Sequence, residues 1–151
     1  RVPLELIGLL KGKDIMVVSY KSAGGFLAQK LFLQGQGIDV FKDLKLREGK
    51  RQEEVILNVY RKTVDAGFVR ESALDVLKEE IDLGKIRIVA TTEYIANWPF
   101  AATKSAGSVM TGLVRTSLLE LEDRTILSAA EIERFRAADD RDFDSLRERI
   151  K

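Results

Sequence analysis

Along the first two-thirds of the chain the apolar positions switch repeatedly between a continuous run and a helical period, and each switch marks an element. Asp14 to Ser19 reads as a buried parallel strand, because Ile15 to Val18 are all apolar. Gly24 to Gln34 follows as a helix with Leu27, Leu31 and Phe32 on its buried side, broken by Gly35-Gln36-Gly37-Ile38-Asp39. A short strand is predicted around Leu44 to Leu46. It precedes a helix over Lys50 to Lys62, where Val55, Ile56, Val59 and Tyr60 recur at helical spacing. Val64 to Val69 is the next strand, Glu71 to Asp82 the next helix with Leu74, Leu77 and Ile81 on one face, and Gly84 stops it. Ile86 to Ala90 completes the series as a fourth strand.

Strands alternating with helices of about ten residues imply right-handed crossovers and a mostly parallel sheet covered on both faces. The expected class is therefore α/β, a three-layer parallel or mixed sheet flanked by helices. After Trp98-Pro99 the pattern becomes helical. Ser105 to Leu121 sets Val109, Met110, Leu113, Val114, Leu118 and Leu121 along one face, and Ser128 to Phe135 and Phe143 to Lys151 read as shorter helices. This helical C-terminal tail has few strands to pack against. Part of its partner is accordingly expected to lie outside the chain.

Charge and composition narrow the chemistry. The 151 residues carry 25 basic and 24 acidic side chains, so the net charge of +1 offers no field for non-specific nucleic-acid binding. Histidine and cysteine are both absent, which removes Ser-His-Asp and Cys-His catalysis, disulfides, and thiolate or imidazole metal sites. No cofactor is expected, and the sequence holds no phosphate loop of the nucleotide-hydrolysing kind. There is no run of about 18 apolar residues and no charged-then-apolar start. Either the protein is cytoplasmic or a targeting segment lies upstream. Glu53-Glu54 and Glu79-Glu80 fall on polar helix faces, and the C-terminal arginines are interleaved with Asp139, Asp140, Asp142 and Asp144. Both patterns describe solvated surface. Trp98 beside Pro99 fits either a cleft wall or a packed aromatic at a crossover.

One place concentrates chemistry. Where the Ile15–Val18 run ends, Ser19-Tyr20-Lys21-Ser22-Ala23-Gly24-Gly25-Phe26 turns into a helix that Ser22 can cap. The first amides of such a helix lack partners and attract phosphate-like oxyanions. Lys21 adds a full charge, and Gly24 and Gly25 allow close approach to the backbone. An ordinary capped strand-to-helix turn uses the same residues, and the sequence leaves both readings open.

Leu10-Lys11-Gly12-Lys13-Asp14, the turn ending Ser22-Ala23-Gly24-Gly25-Phe26, Gly37-Ile38-Asp39, Val64-Asp65-Ala66-Gly67-Phe68-Val69-Arg70, Trp98-Pro99-Phe100 and the segment from Phe135 to Arg147 stand in a telling order. In that order and approximate spacing the chain resembles phosphonate/phosphite-type solute-binding proteins, the type 2 periplasmic binding proteins of ABC importers. The resemblance implies two α/β lobes joined by two crossovers, with a small oxyanion bound between them. It makes residues 1–12 the first crossover, 13–90 the second lobe, 91–103 the return crossover and 104–151 a helical tail belonging to a largely missing first lobe. It also implies a periplasmic or other extracytoplasmic location, a membrane permease as partner, no nucleic acid, and self-association of a chain with an exposed inter-lobe face. A ligand-sensing domain of a membrane-bound signalling protein, such as a sensor histidine kinase, is the alternative.

The ligand groups that the resemblance implies are Ser22, Ala23 and Gly24, where the family has a Ser-Thr-Ser-like turn, so two hydroxyls are replaced here. Tyr20 and Lys21 are the residues available to compensate. Gln52 stands where some members have a histidine, and Asp65 where some relatives have an aspartate for a cationic ligand end. A carboxylate that caps backbone at a strand end is the equal alternative for Asp65.

Overall fold

The computed structural model of the chain describes residues 7–93, 99–130, 132–144 and 147–148. Trp98 and parts of both crossovers and of the last predicted helix lie outside the described residues. The chain divides into two compact units, Arg1–Ile95 and Ala96–Lys151.

The first unit is α/β. Three parallel strands, β1 (Asp14–Val17), β2 (Lys45–Glu48) and β3 (Ala66–Phe68), pair in the order β2-β1-β3, with Ile15 opposite Leu46 and Ala66. Within the sheet, the β1–β2 connection (the first crossover between strands) and the β2–β3 connection (the second) each contain a helix, and they cover opposite faces. On one face Ile15 and Val17 are fully buried against Phe26 and Leu33 of the first crossover and against Ile38, Val40 and Leu44. Burying an aliphatic side chain of this size contributes about 1.5–3 kcal/mol. The helix of this crossover, α1 (Ala28–Gly35), is entered through a π-helical turn at Ala23–Leu27. It ends where Gly37, at φ +77°, turns the chain so that the Ile38 amide reaches the Leu33 carbonyl at 2.9 Å.

On the opposite face Met16 and Gly67 sit side by side on β1 and β3, and the helix of the second crossover, Gln52–Tyr60, lies close over Gly67. A Cβ on Gly67 would stand 2.4 Å from Val55 Cγ1 and 3.1 Å from Val59 Cγ2, so the missing side chain sets the distance between helix and sheet.

Several elements differ from the pattern-based expectation. A one-turn helix, α2 (Val40–Asp43), precedes β2, started by the Asp39 side chain accepting from the Phe41 amide at 3.0 Å. The helix over Gly67 is α3 (Gln52–Tyr60). The helix expected over Glu71 to Asp82 is α4 (Ser72–Leu77), whose Ala73 and Leu77 pack on Ile56 of α3. Ile86 to Ala90 forms no strand. A 3₁₀ turn at Leu83–Lys85 precedes it, Ile86 packs sideways beside Ile56 and Leu77, and Ile88 is 57% exposed. Its alternation suits an edge strand, but among the described residues it has no hydrogen-bonded strand neighbour to define one.

In the second unit, α5 (Ser108–Leu119) is the helix expected over Ser105 to Leu121, and its apolar face is in water: Val109 is 77% and Met110 63% exposed. The next helix, α6 (Arg124–Ala129), starts four residues before the expected Ser128. Asp123 caps it, accepting from the Thr125 and Ile126 amides at 2.8 and 3.2 Å. Among the described residues no helix is long and apolar enough to cross a membrane, and no cluster of acidic side chains could hold a metal ion.

A candidate oxyanion corner

Parallel strands with crossovers on both faces leave a crevice at their carboxyl ends, where neighbouring connections depart in opposite directions. Here that point lies between β1 and β3. The connection from β1 turns toward β2, and the chain leaving β3 enters α4 away from it.

The turn after β1 is capped as its sequence dictates. Ser22 is extended (φ −75°, ψ 120°), its Oγ accepts from the Gly25 amide at 3.0 Å, and its carbonyl accepts from the Leu27 amide at 2.9 Å. Ala23 and Gly24 supply the first two amides of the turn, which have no partner inside a helix. Gly25 is buried against the strand end, and a Cβ there would lie 2.6 Å from Val18 Cγ2. That close seat holds the helix start at the tip of β1.

Three residues tie this turn to the β3 side, Gln52 indirectly through Arg70. Gln29, on α1, donates through Nε2 to the Gly24 carbonyl at 2.9 Å and to the Val69 carbonyl at 3.2 Å, clamping the helix start to the end of β3. Its Oε1 is buried without a partner. Gln52, at the start of α3, accepts the Arg70 amide at 3.0 Å. The Arg70 stem passes directly over Gly24, whose Cβ, if present, would be 2.6 Å from Arg70 Cγ and 2.9 Å from Cδ.

The sequence-predicted residues therefore separate into three sets. Ser22, Ala23, Gly24 and Gln52 converge at the crevice, the last through Arg70. Tyr20 turns the other way: its ring packs edge-on against Phe26 and Phe41 at centroid distances of 5.1 and 5.8 Å, and its amide donates to Glu48 Oε1 at 2.7 Å. Lys21 is exposed beside it. Glu48 sets a carboxylate on the β2 side of the corner, so the side open to an anion is the β3 side. Asp65 lies at the opposite end of the sheet. It precedes β3, its Oδ2 accepts from the Asp14 amide at 2.9 Å, and its own amide donates to the Asp14 carbonyl at 2.9 Å. That is the backbone-capping alternative of the sequence reading.

The carboxylates with lowered pKa are elsewhere. Asp39 is stabilised in its ionised form chiefly by the Phe41 amide, with Lys42 assisting, and Asp139 chiefly by the Arg141 side chain. Sequence reasoning passed over Gln29 and Arg70 as site residues. Arg70 had one readable signal, its place immediately after a parallel strand at the carboxyl end of the sheet. Gln29 had another, as an amide among the apolar residues of a buried helix side.

A family model described as ABC transporter, phosphonate, periplasmic substrate-binding protein matches residues 3–143. No curated protein matches the chain.

Proposed function

Because the chain belongs to the family of phosphonate periplasmic substrate-binding proteins of ABC transporters, we propose that it binds phosphonate, phosphite, phosphate or a similar small oxyanion at the Ser22 corner and presents it to a membrane permease. The observation that carries this reading is the capped helix start at the carboxyl ends of β1 and β3 within a chain of that family. Amides of Ala23 and Gly24 donate to the oxyanion, and the helix dipole adds to their attraction. The Gln52 amide group adds a donor that carries no charge. Ligand contacts favour whichever conformation makes more of them, so binding shifts the protein toward its ligand-holding state.

Titration calorimetry with methylphosphonate, phosphite and phosphate tests the reading. Saturable binding of at least one is expected, and binding of none removes the corner from consideration. Two substitutions separate site from scaffold. Ser22→Ala deletes the cap, so it should lower stability by about 1 kcal/mol in urea unfolding and also weaken oxyanion binding, because the Gly25 amide loses the acceptor that fixes the turn. Asp65→Ala removes the acceptor of the Asp14 amide and should likewise cost about 1 kcal/mol. Its effect on oxyanion affinity should be nil, since Asp65 lies at the far end of the sheet. A large affinity loss in Asp65→Ala with unchanged melting would reverse that assignment.

A further inference from the structure

We propose that the water-facing side of α5 is the seat of a second copy of this chain, docked helix against helix and antiparallel. Val109, Met110, Leu113 and Val114 are 77, 63, 60 and 49% exposed, and their spacing makes them one continuous apolar stripe along the helix. Ser117 extends the stripe by a turn, and Arg115, the one charged residue within α5, falls on the opposite side. A different side again, at Thr111 and Leu118, is the one partly covered. The stripe is therefore what remains in water after α5 has taken its place in the chain, and an uncharged apolar surface of this kind marks an interaction site.

The charges at the two ends of the helix identify the occupant. Lys104 stands in the turn before α5 and Glu120 caps its carboxyl end; both are exposed, and among the described residues neither has an ion pair within the chain. A parallel copy would set like charges together at each end. An antiparallel copy sets Lys104 against Glu120 twice, and the register agrees with the stripe: Met110 opposite Val114 and Lys104 opposite Glu120 are both symmetric about Gly112. The same patch then serves both copies, as a two-fold interface requires. The last turn of α5 has no basic residue of its own, so Lys104 of the second copy also brings a cation to the negative end of the helix dipole. A foreign partner would need to supply this pattern, whereas the chain already carries both halves. Two 12-residue helices bury less than the roughly 1,000 Å² of a stable interface, so the dimer is weak and depends on concentration.

Sedimentation velocity of the full chain over about 5 to 500 μM, with far-UV circular dichroism of every variant, is the experiment; a monomer–dimer equilibrium with Kd on the order of 100 μM is expected. Leu113→Glu sets two carboxylates near the two-fold centre and should raise Kd about tenfold or more with helix content unchanged. Lys104→Glu and Glu120→Lys each turn both end pairs repulsive and should each raise Kd about threefold or more at low salt. The double reversal restores opposite signs and should return Kd to the wild-type value. A wild-type chain that stays monomeric across the whole range overturns the proposal and leaves the stripe to a different partner. Association unmoved by Leu113→Glu overturns it as well. Single reversals without effect, or a double reversal that does not recover, exclude the antiparallel second copy.

Discussion

Gly67→Val lowers the stability of the first unit by about 1 kcal/mol, although valine is the better strand former. The opposing effects can be compared. Valine at a strand position gains up to about 1 kcal/mol in β propensity, and loss of glycine's freedom in the unfolded chain adds about 0.5–1 kcal/mol. Against this, the first added carbon alone would sit 2.4 Å from Val55 Cγ1, closer than non-bonded carbons approach, and two further methyl groups follow it. Overpacking a well-filled contact costs about 1–3 kcal/mol per site and more when backbone must move. Here β3 and α3 would have to separate. Urea unfolding reads the loss, and the background decides its cause. In Val55→Ala, which removes Cγ1, the same Gly67→Val change should be nearly neutral or stabilising. An equal loss in both backgrounds would show that the spacing between sheet and helix is not set at this contact.

Gln29→Glu is expected to cost about 3 kcal/mol at neutral pH, more than any cap deletion in the chain. The wild-type amide donates to two backbone carbonyls, Gly24 and Val69. A carboxylate cannot donate at all, so both carbonyls lose their donor and face a negative charge. The penalty must therefore depend on pH. Carbonyl oxygens around the side chain favour the protonated acid and raise its pKa in the folded state above its unfolded value. Below the unfolded pKa both states are protonated, and the penalty is smallest, because the acid can still donate one hydrogen bond. As pH rises from there to the folded pKa, the unfolded state releases its proton first and stability falls. Gln29→Leu has no such proton and should lose about 2 kcal/mol at every pH. Parallel urea curves for the two variants across the acid range check this, and a pH-independent Gln29→Glu deficit would contradict the clamp. Both variants should also weaken oxyanion binding, Gln29→Glu the more, since it adds negative charge beside the corner.

The elements that could be read from the chain are those with a period long enough to see. β1, the helix after Ser22, α3 and α5 each bury or align apolar residues over several turns or a continuous run. The one-turn α2 has no period at all, and its only signal is Asp39 ahead of it. β2 was expected around Leu44 to Leu46 and lies at Lys45–Glu48. Its charged Lys45, Arg47 and Glu48 belong to an edge, and edge strands lack the apolar run. The segment Ile86 to Ala90 has the pattern of a strand, but a strand also needs a partner, and that is a property of the tertiary structure.

The candidate site divides in the same way. Ser22 as a cap follows from local chemistry, so it was legible. Asp65 was placed by its motif, while strand direction alone puts a residue that precedes β3 at the amino end of the sheet, away from the crevice. Gln29 and Arg70 act across 40 or more positions of sequence, through contacts to Gly24 and Val69 that no local spacing encodes.

The water-facing apolar side of α5 has a calorimetric consequence. The heat-capacity increment of unfolding comes chiefly from apolar surface newly hydrated. Val109, Met110, Leu113 and Val114 are already hydrated in the native state. Melting α5 as it stands therefore adds little to that increment, which comes mainly from the buried apolar residues of the first unit, Ile15, Val17, Phe26 and Leu33 among them. Whatever covers Val109 to Val114 would reveal itself as an increase in heat-capacity increment before any change in helix content.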